Sequence, residues 1–372
     1  MSVLKTGWSL LFRLFPCPTN VGLHRIGNPG PDSPVLVTCN FDLTVKRLRH
    51  TLFGLDLWLL VSDSKGVNVW CAAGAGVYNT HSVVSVVKTS GIEDKVNHRT
   101  LILPPLSAPG IKAADVTAQT GWRVKWGPVY AKDIPRYIAD NFKRDERMKR
   151  VQYDLKERLD TAIGSLFPFY LAGAAGFLVF GRDFLIDYLV IGAAAFVVFM
   201  SFCPWIPGRR GITKALFCDG IILAVFLSLE FLFDANTEPY RIHFIIATAI
   251  IPVYGLELGG IASTMPSDLD PFLAKFGIGA LGNVAFANTV RTELLNGYRE
   301  LSYDQGLCKG CHSCAEVCPQ GVWDIDKNNR AVFARKEGCT ACRACLMQCQ
   351  SGAIDAPRIE NAANAAGKTP SP

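Results

Sequence analysis

The chain has 372 residues, of which 49% are apolar and only 19% are charged, and its mean hydropathy is +0.22. Soluble globular chains typically carry about 25% charged residues, so the composition argues against a wholly soluble protein and predicts a part solvated by lipid. The net charge of +6 is modest, and the basic residues form no stripe with interleaved aromatics, which argues against nucleic-acid binding.

The N-terminus lacks the features of a secretory signal. Arg13 interrupts the apolar stretch that follows Lys5, and no small-residue cleavage site follows. The segment Gly7–Phe15 is predicted to be a helix with its aromatic residues on one face, resting on a membrane surface or capping the next domain. Without a secretory signal, the 13 cysteines are not expected to form disulfides.

Residues 20 to 145 alternate short apolar runs with amphipathic stretches. The predicted strands are Pro34–Cys39, Leu57–Val61, Leu101–Leu103 and Arg123–Trp126. The predicted helices are Leu43–Leu55, Ala113–Thr120 and Asp133–Phe142. Strands that alternate with helices predict an open, mostly parallel, Rossmann-like α/β sheet.

From Ala162 onward the chain contains apolar runs of the length that a bilayer requires, about 20 residues each. The predicted spans are Ala162–Phe180, Phe184–Phe202, Ala215–Phe233 and Ile242–Leu256, and Phe272–Val290 is predicted to be an interfacial or re-entrant segment. The distribution of basic residues places both ends of this unit in the cytoplasm, so we expect a multi-pass protein of the cytoplasmic membrane in contact with lipid. Four polar side chains in or near these spans are either functional groups or residues that reach the interface: Asp187, Asp219, Glu230 and His243.

Two runs of cysteines near the C-terminus have the spacing of a bacterial two-cluster ferredoxin. In this arrangement the fourth cysteine of each run ligates the cluster of the other run. The first [4Fe–4S] cluster is then held by Cys308, Cys311, Cys314 and Cys349. The second is held by Cys339, Cys342, Cys345 and Cys318. A zinc site usually has two separated cysteine pairs, which this pattern does not show. The two clusters form an electron relay, and we expect its acceptor in the α/β domain.

A second candidate site surrounds Cys71, in the segment NVWCAAGAG of residues 68–76. A thiol at such a position is most often a buried core residue. The small residues that follow it, however, would let a planar group approach the backbone. Asn68 is suited to cap a short helix, whose N-terminus would favour the thiolate of Cys71. These features suit the binding of a flat metal macrocycle.

This segment closely resembles the cap-helix motif of the mercury-methylating corrinoid proteins (HgcA). Residues 22–63, 98–104, 108–110 and 127–131 are also similar to that family. The region from about Leu294 resembles the separate ferredoxin partner of the family (HgcB), here fused to the same chain. The resemblance covers nearly the whole chain.

The resemblance implies that Cys71 is the lower axial ligand of a corrinoid cobalt. It further implies a helix beneath the ring, formed by Asn68, Val69, Trp70, Ala72, Ala73 and Gly74. Residues implied to face the macrocycle are Thr38, Asn40, Pro104, Pro109 and Gly110. None of the six histidines stands in the Asp-x-His-x-x-Gly pattern of the other common cobalamin arrangement, which agrees with a thiolate ligand.

The function implied by this resemblance is transfer of a methyl group from methyl-cobalt to Hg(II), with the ferredoxin returning the cobalt to Co(I). A methyl donor protein or a methylated folate or pterin would supply the methyl group, and an electron donor would reduce the clusters. The chain departs from the family at Ala75, where lysine is usual, and it lacks a terminal cysteine pair, so Cys203 and Cys218 are candidates for an Hg(II) relay.

Two alternatives remain open from the sequence. One is a corrinoid methyl carrier of one-carbon metabolism with a different acceptor, and the other is a membrane electron-transfer protein without cobalt. The predicted domains are residues 1–160 for the corrinoid, 161–292 for the membrane, 293–358 for an α+β ferredoxin, and a flexible tail at 359–372.

Overall fold

The fold is described by a computed structural model that covers residues 3–13, 15–74, 76–152, 154–207, 211–232, 240–257, 301–339 and 342–355. The chain divides into two compact units, Met1–Phe15 with Tyr153–Ile278 and Pro16–Gln152 with Gly279–Pro372. Three predicted features lie outside the described residues: the apolar segment Phe272–Val290, the residue Ala75 and the tail at 359–372.

The second unit contains a five-stranded sheet and two small two-stranded sheets. Its strands are β1 (Gly22–Ile26), β2 (Val35–Cys39), β3 (Leu57–Ser62), β4 (Thr100–Leu103), β5 (Arg123–Trp126), β6 (Ser302–Tyr303), β7 (Trp323–Ile325), β8 (Ala331–Phe333) and β9 (Ile354–Asp355). The helices of the same unit are α2 (Asp42–Thr51), α3 (Val69–Gly74), α4 (Thr80–Thr89), α5 (Ala113–Thr120), α6 (Ile134–Ala139), α7 (Glu146–Lys149), α12 (Ser313–Val317) and α13 (Ala344–Gln348).

The large sheet has the strand order β1-β3-β2-β4-β5. Strands β2 to β5 pair in parallel, which confirms the predicted parallel α/β sheet, and β1 adds an antiparallel edge that the sequence did not predict. Every residue of β2 and β3 is buried, as expected for parallel strands that are covered on both faces.

The order of the parallel strands places a topological switch point between β2 and β4. The chain passes from β2 to β3 on one side and then returns across β2 to β4 on the other. In open α/β sheets, ligands bind beyond the carboxyl ends of the strands at such a point. The segments that begin at this edge are Asn40 after β2, residues 63–74 after β3 and the loop of residues 104–110 after β4.

Helix α4 was not predicted from the sequence, although its first residues form a capping box. Asn79 caps it by accepting a hydrogen bond from the backbone N–H of Ser82 at 3.0 Å, and the backbone N–H of Asn79 donates to the hydroxyl of Ser82 at 3.2 Å. This reciprocal pair is a capping box. Four valines between residues 83 and 87 then bury one side of the helix.

Tyr137, on α6, is a fully buried residue of the α/β core whose hydroxyl has no hydrogen-bond partner within the described structure. Burial raises the pKa of Tyr137 to about 12. An unfolded tyrosine ionises near pH 10, so the folded state holds a proton that the unfolded state loses above that pH. Stability is therefore lost as the pH rises from 10 toward 12.

The substitution Tyr137→Phe should reduce this alkaline loss. At pH 7 we expect the variant to equal or slightly exceed the wild type, because no hydrogen bond is lost. Between pH 9 and pH 12 the wild type should lose about 2–3 kcal/mol more than the variant, from a shift of about two pKa units. Urea unfolding of both proteins across this pH range measures the difference, and parallel stability curves would contradict the prediction.

The first unit is helical. Its helices are α1 (Val3–Leu11), α8 (Leu155–Phe180), α9 (Leu185–Phe202), α10 (Gly211–Leu227) and α11 (Arg241–Glu257). Beyond α1, Phe12 contacts Phe167 of α8 edge to face at 5.7 Å, so this N-terminal segment packs against the unit. The core of the unit includes Leu166, Phe199 and Tyr254.

The predicted multi-span transmembrane domain is wrong for the described residues. Within them, one helix, Arg182–Phe202, has the length and apolar composition to cross a membrane, and there are two if a bent pair in α8 counts as one span. The two parts of α8 meet at 52°, and α8 begins with charged residues and contains Pro168, which lacks a backbone N–H. Helix α10 has 17 residues and continues directly into a π-helical turn at Ser228–Leu232. Helix α11 has 17 residues, about 26 Å, which is short of a hydrocarbon core of about 30 Å.

Of the four polar residues that the sequence placed near these helices, two pair with each other, one pairs with an arginine, and one has a carboxylate oxygen without a partner in the described structure. His243 lies 3.4 Å from Asp187 between ring and carboxylate, and Arg241 lies 2.7 Å from Glu230. One carboxylate oxygen of Asp219 is buried and has no hydrogen-bond partner within the described structure.

Candidate functional site

Helix α3 presents Cys71 at the carboxyl edge of the sheet. The backbone N–H of Cys71 donates to the side-chain oxygen of Asn68 at 3.0 Å, so Asn68 caps α3 as the sequence predicted. Ala72 and Ala73 point into the core and are at most 2% exposed, while Cys71 is half-buried. With 3.6 residues per turn, Trp70, Cys71 and Gly74 lie on the outer side of α3. A sulfur donor on a partly open face beside a small residue is suited to a corrinoid.

Asn40 was predicted to face the macrocycle, but the structure buries it beneath the loop that leads to α3. Its side-chain oxygen accepts hydrogen bonds from the backbone N–H groups of Ser64 and Gly66, both at 2.9 Å. Its side-chain nitrogen donates to Asp63 at 3.3 Å. Gly66 is required there, since its φ is +74° and a Cβ would lie 2.5 Å from the backbone nitrogen of Pro18. Asn40 therefore organises the loop before α3.

Asp63, in the same loop, carries a stabilised carboxylate. Its partial burial alone would raise its pKa, but hydrogen bonds from Lys65 and Asn40 hold the pKa below the usual value. The Nζ atom of Lys65 lies 2.6 Å from this carboxylate. The loop is thus held by one buried amide and one surface ion pair.

We predict that Asn40→Ala destabilises the α/β domain by roughly 3 kcal/mol. The substitution leaves two buried backbone N–H groups unpaired, each costing about 1–3 kcal/mol. The same change at Asn97, whose exposed side chain donates a hydrogen bond to Asp32, should cost less than about 0.5 kcal/mol. Denaturant unfolding of both variants checks this, and equal midpoints would show that Asn40 does not organise the loop.

Two more polar residues lie buried beneath this edge. Thr38, also predicted to face the macrocycle, is 2% exposed, and the neighbouring Cys39 is completely buried. Burial raises the pKa of Cys39, so this thiol stays protonated in the folded protein. Of the two cysteines near the edge, Cys71 is the one that is not fully buried.

The loop of residues 104–110 packs directly on α3 through Gly110. A Cβ at Gly110 would lie 2.2 Å from the carbonyl oxygen of Tyr78 and 2.8 Å from that of Ala73. No side chain fits in that space, so only glycine allows the loop to approach α3 this closely. The predicted site residues Pro104, Pro109 and Gly110 therefore belong to a loop that is in contact with the helix that carries Cys71.

The second cysteine set lines one cavity. This cavity, with about 280 Å³ of space free of atoms, is lined by all four predicted ligands of the second cluster, Cys318, Cys339, Cys342 and Cys345. Apolar residues complete the wall, including Val322 and Trp323. The structure thus brings Cys318 of the first run to the three cysteines of the second run, as the ferredoxin pattern requires.

The first cysteine set has the same local geometry. His312 and Arg343, each following the second cysteine of its run, have φ values of 59° and 63°, and a short helix begins directly after each. Cys308 and Cys349 pack with the buried Cys314, while Cys311 is exposed. In the described part of the chain, no three His, Cys, Asp or Glu side chains lie close enough together to hold a single metal ion. The four cysteines of a [4Fe–4S] cluster each bind a different iron, so they lie farther apart than the ligands of one ion.

The cysteine-rich region contacts the α/β domain within the same compact unit. Gln348 of α13 is 6% exposed and donates to the carbonyl oxygens of Ala108 at 3.0 Å and Ile111 at 2.8 Å. Its side-chain oxygen accepts from the backbone N–H of Ala113 at 3.2 Å. No sequence pattern predicts this role, because a glutamine beside a cysteine motif is ordinarily a surface residue.

Charged residues at the end of the α/β domain hold the cysteine-rich region at a second place. The buried guanidinium of Arg144 donates to Glu316 and to the carbonyl oxygen of Gly127, and Lys149 lies 3.1 Å from Glu316. Arg150 donates to the carbonyl oxygen of Cys318 at 3.1 Å. Burial alone would raise the pKa of Glu316, but the two cations hold it below the usual value.

Cys203 and Cys218, the residues predicted to form a mercury relay, lie in the helical unit. Cys203 is buried and Cys218 half-buried in the hydrophobic cluster of the helical unit. The thiol of Cys203 lies 3.5 Å from the carbonyl oxygen of Met200, in the same helix.

Comparison with known proteins gives matches for both parts of the second unit. Residues 14–138 match the CdhD family, described as the CO dehydrogenase/acetyl-CoA synthase delta subunit. Residues 307–354 match a 4Fe-4S dicluster domain family. Together they confirm the predicted cofactors, a corrinoid and two [4Fe–4S] clusters.

The chain is also similar to curated proteins named acetyl-CoA decarbonylase/synthase complex subunit gamma. It is 38% identical to that of Methanopyrus kandleri over 125 residues, 33% of this chain and 27% of the relative. It is 35% identical to that of Archaeoglobus fulgidus over 129 residues, 34% of this chain and 27% of the relative. It is 33% identical to that of Methanocaldococcus jannaschii over 153 residues, 40% of this chain and 29% of the relative. The chain therefore spans less than a third of the length of these relatives.

These matches correct the family that the sequence motif predicted. The α/β region matches the CdhD family and the gamma subunits, and the predicted membership in the mercury-methylating corrinoid proteins is wrong. Mercury methylation is likewise contradicted as the function, and neither Hg(II) nor lipid is supported as a partner.

Proposed function

We propose that this chain is a corrinoid and iron–sulfur methyl carrier of one-carbon metabolism, acting with partner proteins of an acetyl-CoA decarbonylase/synthase type of complex. One observation carries the proposal. The loop that packs on the helix of Cys71 through Gly110 also receives the side chain of Gln348 from the ferredoxin region. A methyl-carrying site and its source of electrons are thus joined through one loop.

The residues around Cys71 have separate proposed roles. Cys71 is the proposed sulfur ligand, Asn68 holds the start of its helix, and Asn40 fixes the loop that precedes it. When bound, the corrinoid supplies a cobalt atom that accepts and releases a methyl group. Trp70 and Cys71 on the outer side of α3 are only half-buried, so this side of the helix is accessible to a partner protein.

The methyl donor is proposed to be a methylated folate or pterin, or a protein that carries its methyl group. The acceptor is proposed to belong to a partner subunit, since the relatives are named as subunits of an acetyl-CoA decarbonylase/synthase complex. A low-potential electron donor supplies the two clusters. The location at the cytoplasmic membrane and the domain division at residues 160, 292 and 358 stay predictions.

The first test measures cobalt and iron in protein purified without oxygen and supplied with corrinoid. We expect about one cobalt and about eight irons per chain. The loaded protein is then given a pterin with a labelled methyl group, and transfer of the label to the protein and onward to an acetyl-CoA synthase is followed. Full iron without cobalt would exclude a methyl carrier and leave an electron-transfer protein.

A further inference from the structure

The two cysteine sets differ in their position relative to the α/β domain. Cys342 of the second set packs in one hydrophobic cluster with Ala108 and Trp126, and Ala344 and Val317 complete that cluster. The carbonyl oxygen of Cys318, also of the second set, accepts a hydrogen bond from Arg150. Two ligands of the second cluster therefore lie at this contact.

The first cysteine set has an open side. Cys311 is exposed, and the neighbouring Leu307 is 52% exposed. The only apolar cluster that joins the ferredoxin region to the α/β domain in the described chain contains no ligand of this set. An electron carrier from solution thus reaches the first set without displacing the α/β domain.

We propose that the second cluster is the electron exit toward the Cys71 site, that the first cluster is the entry, and that Gln348 is the positioning residue that keeps the exit in place. The inference rests on the proposed function. With both clusters bound, a soluble low-potential one-electron donor would give one electron at a time at the first cysteine set, and the second set would pass it to the Cys71 site, so that the donor is oxidised and the Cys71 site is reduced by one electron.

Gln348 is suited to this role because its three hydrogen bonds all go to backbone groups of one segment, residues 108–113. Backbone partners fix a position without depending on the rotamers of other side chains. The same segment contacts α3 at Gly110. The amide of Gln348 therefore holds the second cysteine set against the segment that contacts the Cys71 helix, in addition to the contacts made by Arg144 and Arg150, and electron-transfer rates fall steeply with distance.

The test of the positioning residue compares Gln348→Ala with Gln350→Ala. Gln350 is the same residue type two positions away, but it is exposed. After rapid mixing of the loaded protein with titanium(III) citrate, cluster bleaching and cobalt reduction are followed separately. In Gln348→Ala we expect the rate of cluster reduction and the cluster potentials to be unchanged, and the rate of cobalt reduction to fall at least tenfold. In Gln350→Ala the rate of cobalt reduction should equal that of the wild type. Equal cobalt reduction in both variants would overturn the role of Gln348.

The direction of the relay is tested with one ligand of each set. In pre-reduced Cys311→Ala, which removes a ligand of the first set, delivery of an electron to cobalt should be slowed less than in Cys342→Ala. In pre-reduced Cys342→Ala, an intact first cluster should deliver its electron to cobalt at least tenfold more slowly than the wild type does. Electron paramagnetic resonance identifies the cluster that each variant retains. The opposite ranking of the two variants would overturn the proposed direction.

A readout without cobalt separates this inference from the proposed function. In wild-type protein with iron but no corrinoid, the backbone N–H of Ala113 should be protected from hydrogen exchange by Gln348. Gln348→Ala should lose at least tenfold of that protection, while Gln350→Ala should lose none. Unchanged protection at Ala113 in Gln348→Ala would overturn the docking contact. Wild-type protein that shows this protection but binds no cobalt would contradict only the proposed methyl-carrier function.

Discussion

Protein in which Cys71 is replaced by alanine is expected to lose its cobalt while keeping its iron. Cys71 is the proposed sulfur ligand of the corrinoid, and the neighbouring thiol of Cys39 is too deeply buried to replace it. Loss of groups that merely support a metal ligand typically lowers metal affinity 10–100-fold, so loss of the ligand itself should cost at least about 100-fold. Cobalt and iron per chain after gel filtration, together with the visible spectrum of the bound corrinoid, measure this.

The matched control for Cys71→Ala is Cys39→Ala. It removes a thiol from the same edge of the sheet, at a position that is completely buried and cannot reach a ligand. It should lower stability modestly and leave the cobalt content unchanged. A Cys71→Ala protein that keeps its cobalt and its spectrum would show that another group, or none, ligates the metal.

The substitution Gly110→Ala should damage both cofactor regions at once. Its Cβ would stand 2.2 Å from the carbonyl oxygen of Tyr78, and backbone atoms of α3 cannot move aside as a flexible side chain would. Overpacking typically costs about 1–3 kcal/mol, and contact with backbone places this site at the upper end of that range. We expect a loss of about 3 kcal/mol in unfolding free energy, a lower cobalt content and slower cobalt reduction by the clusters.

Gly30→Ala serves as the control for Gly110→Ala. Nothing lies within 4 Å of a Cβ at Gly30, and its φ is not in the left-handed region, so the variant should equal or slightly exceed the wild type in stability. Urea unfolding and cobalt content are measured in both. A Gly110→Ala protein with wild-type stability and cobalt would mean that the loop and α3 separate without cost.

The mistaken family shows where a motif stops being informative. The segment around Cys71 specifies a capped helix that presents a thiol, and this was predicted correctly as a local structure. What receives the methyl group depends on partners that a nine-residue motif does not touch. A site of one kind is used on related folds for different acceptors.

The multi-span prediction failed for a different reason. Hydropathy over about 20 residues measures composition, but it does not register where a helix bends or ends. The 52° bend within α8, which contains Pro168, interrupts a segment that hydropathy alone predicts as one span.

The sequence by itself determined the local features of this protein. The buried strands β2 and β3, the cap of α3 by Asn68 and the spacing within each cysteine run depend on residues a few positions apart, so local pattern predicts them. Only the tertiary structure decided the partners of Asn40, Gly110 and Gln348. Each is defined by backbone groups that lie distant in the chain, and Gln348 bonds to residues more than 230 positions away. No local pattern encodes such contacts, because those of Asn40 and Gly110 exist only after the α/β domain has folded, and those of Gln348 only after the ferredoxin region has packed on it.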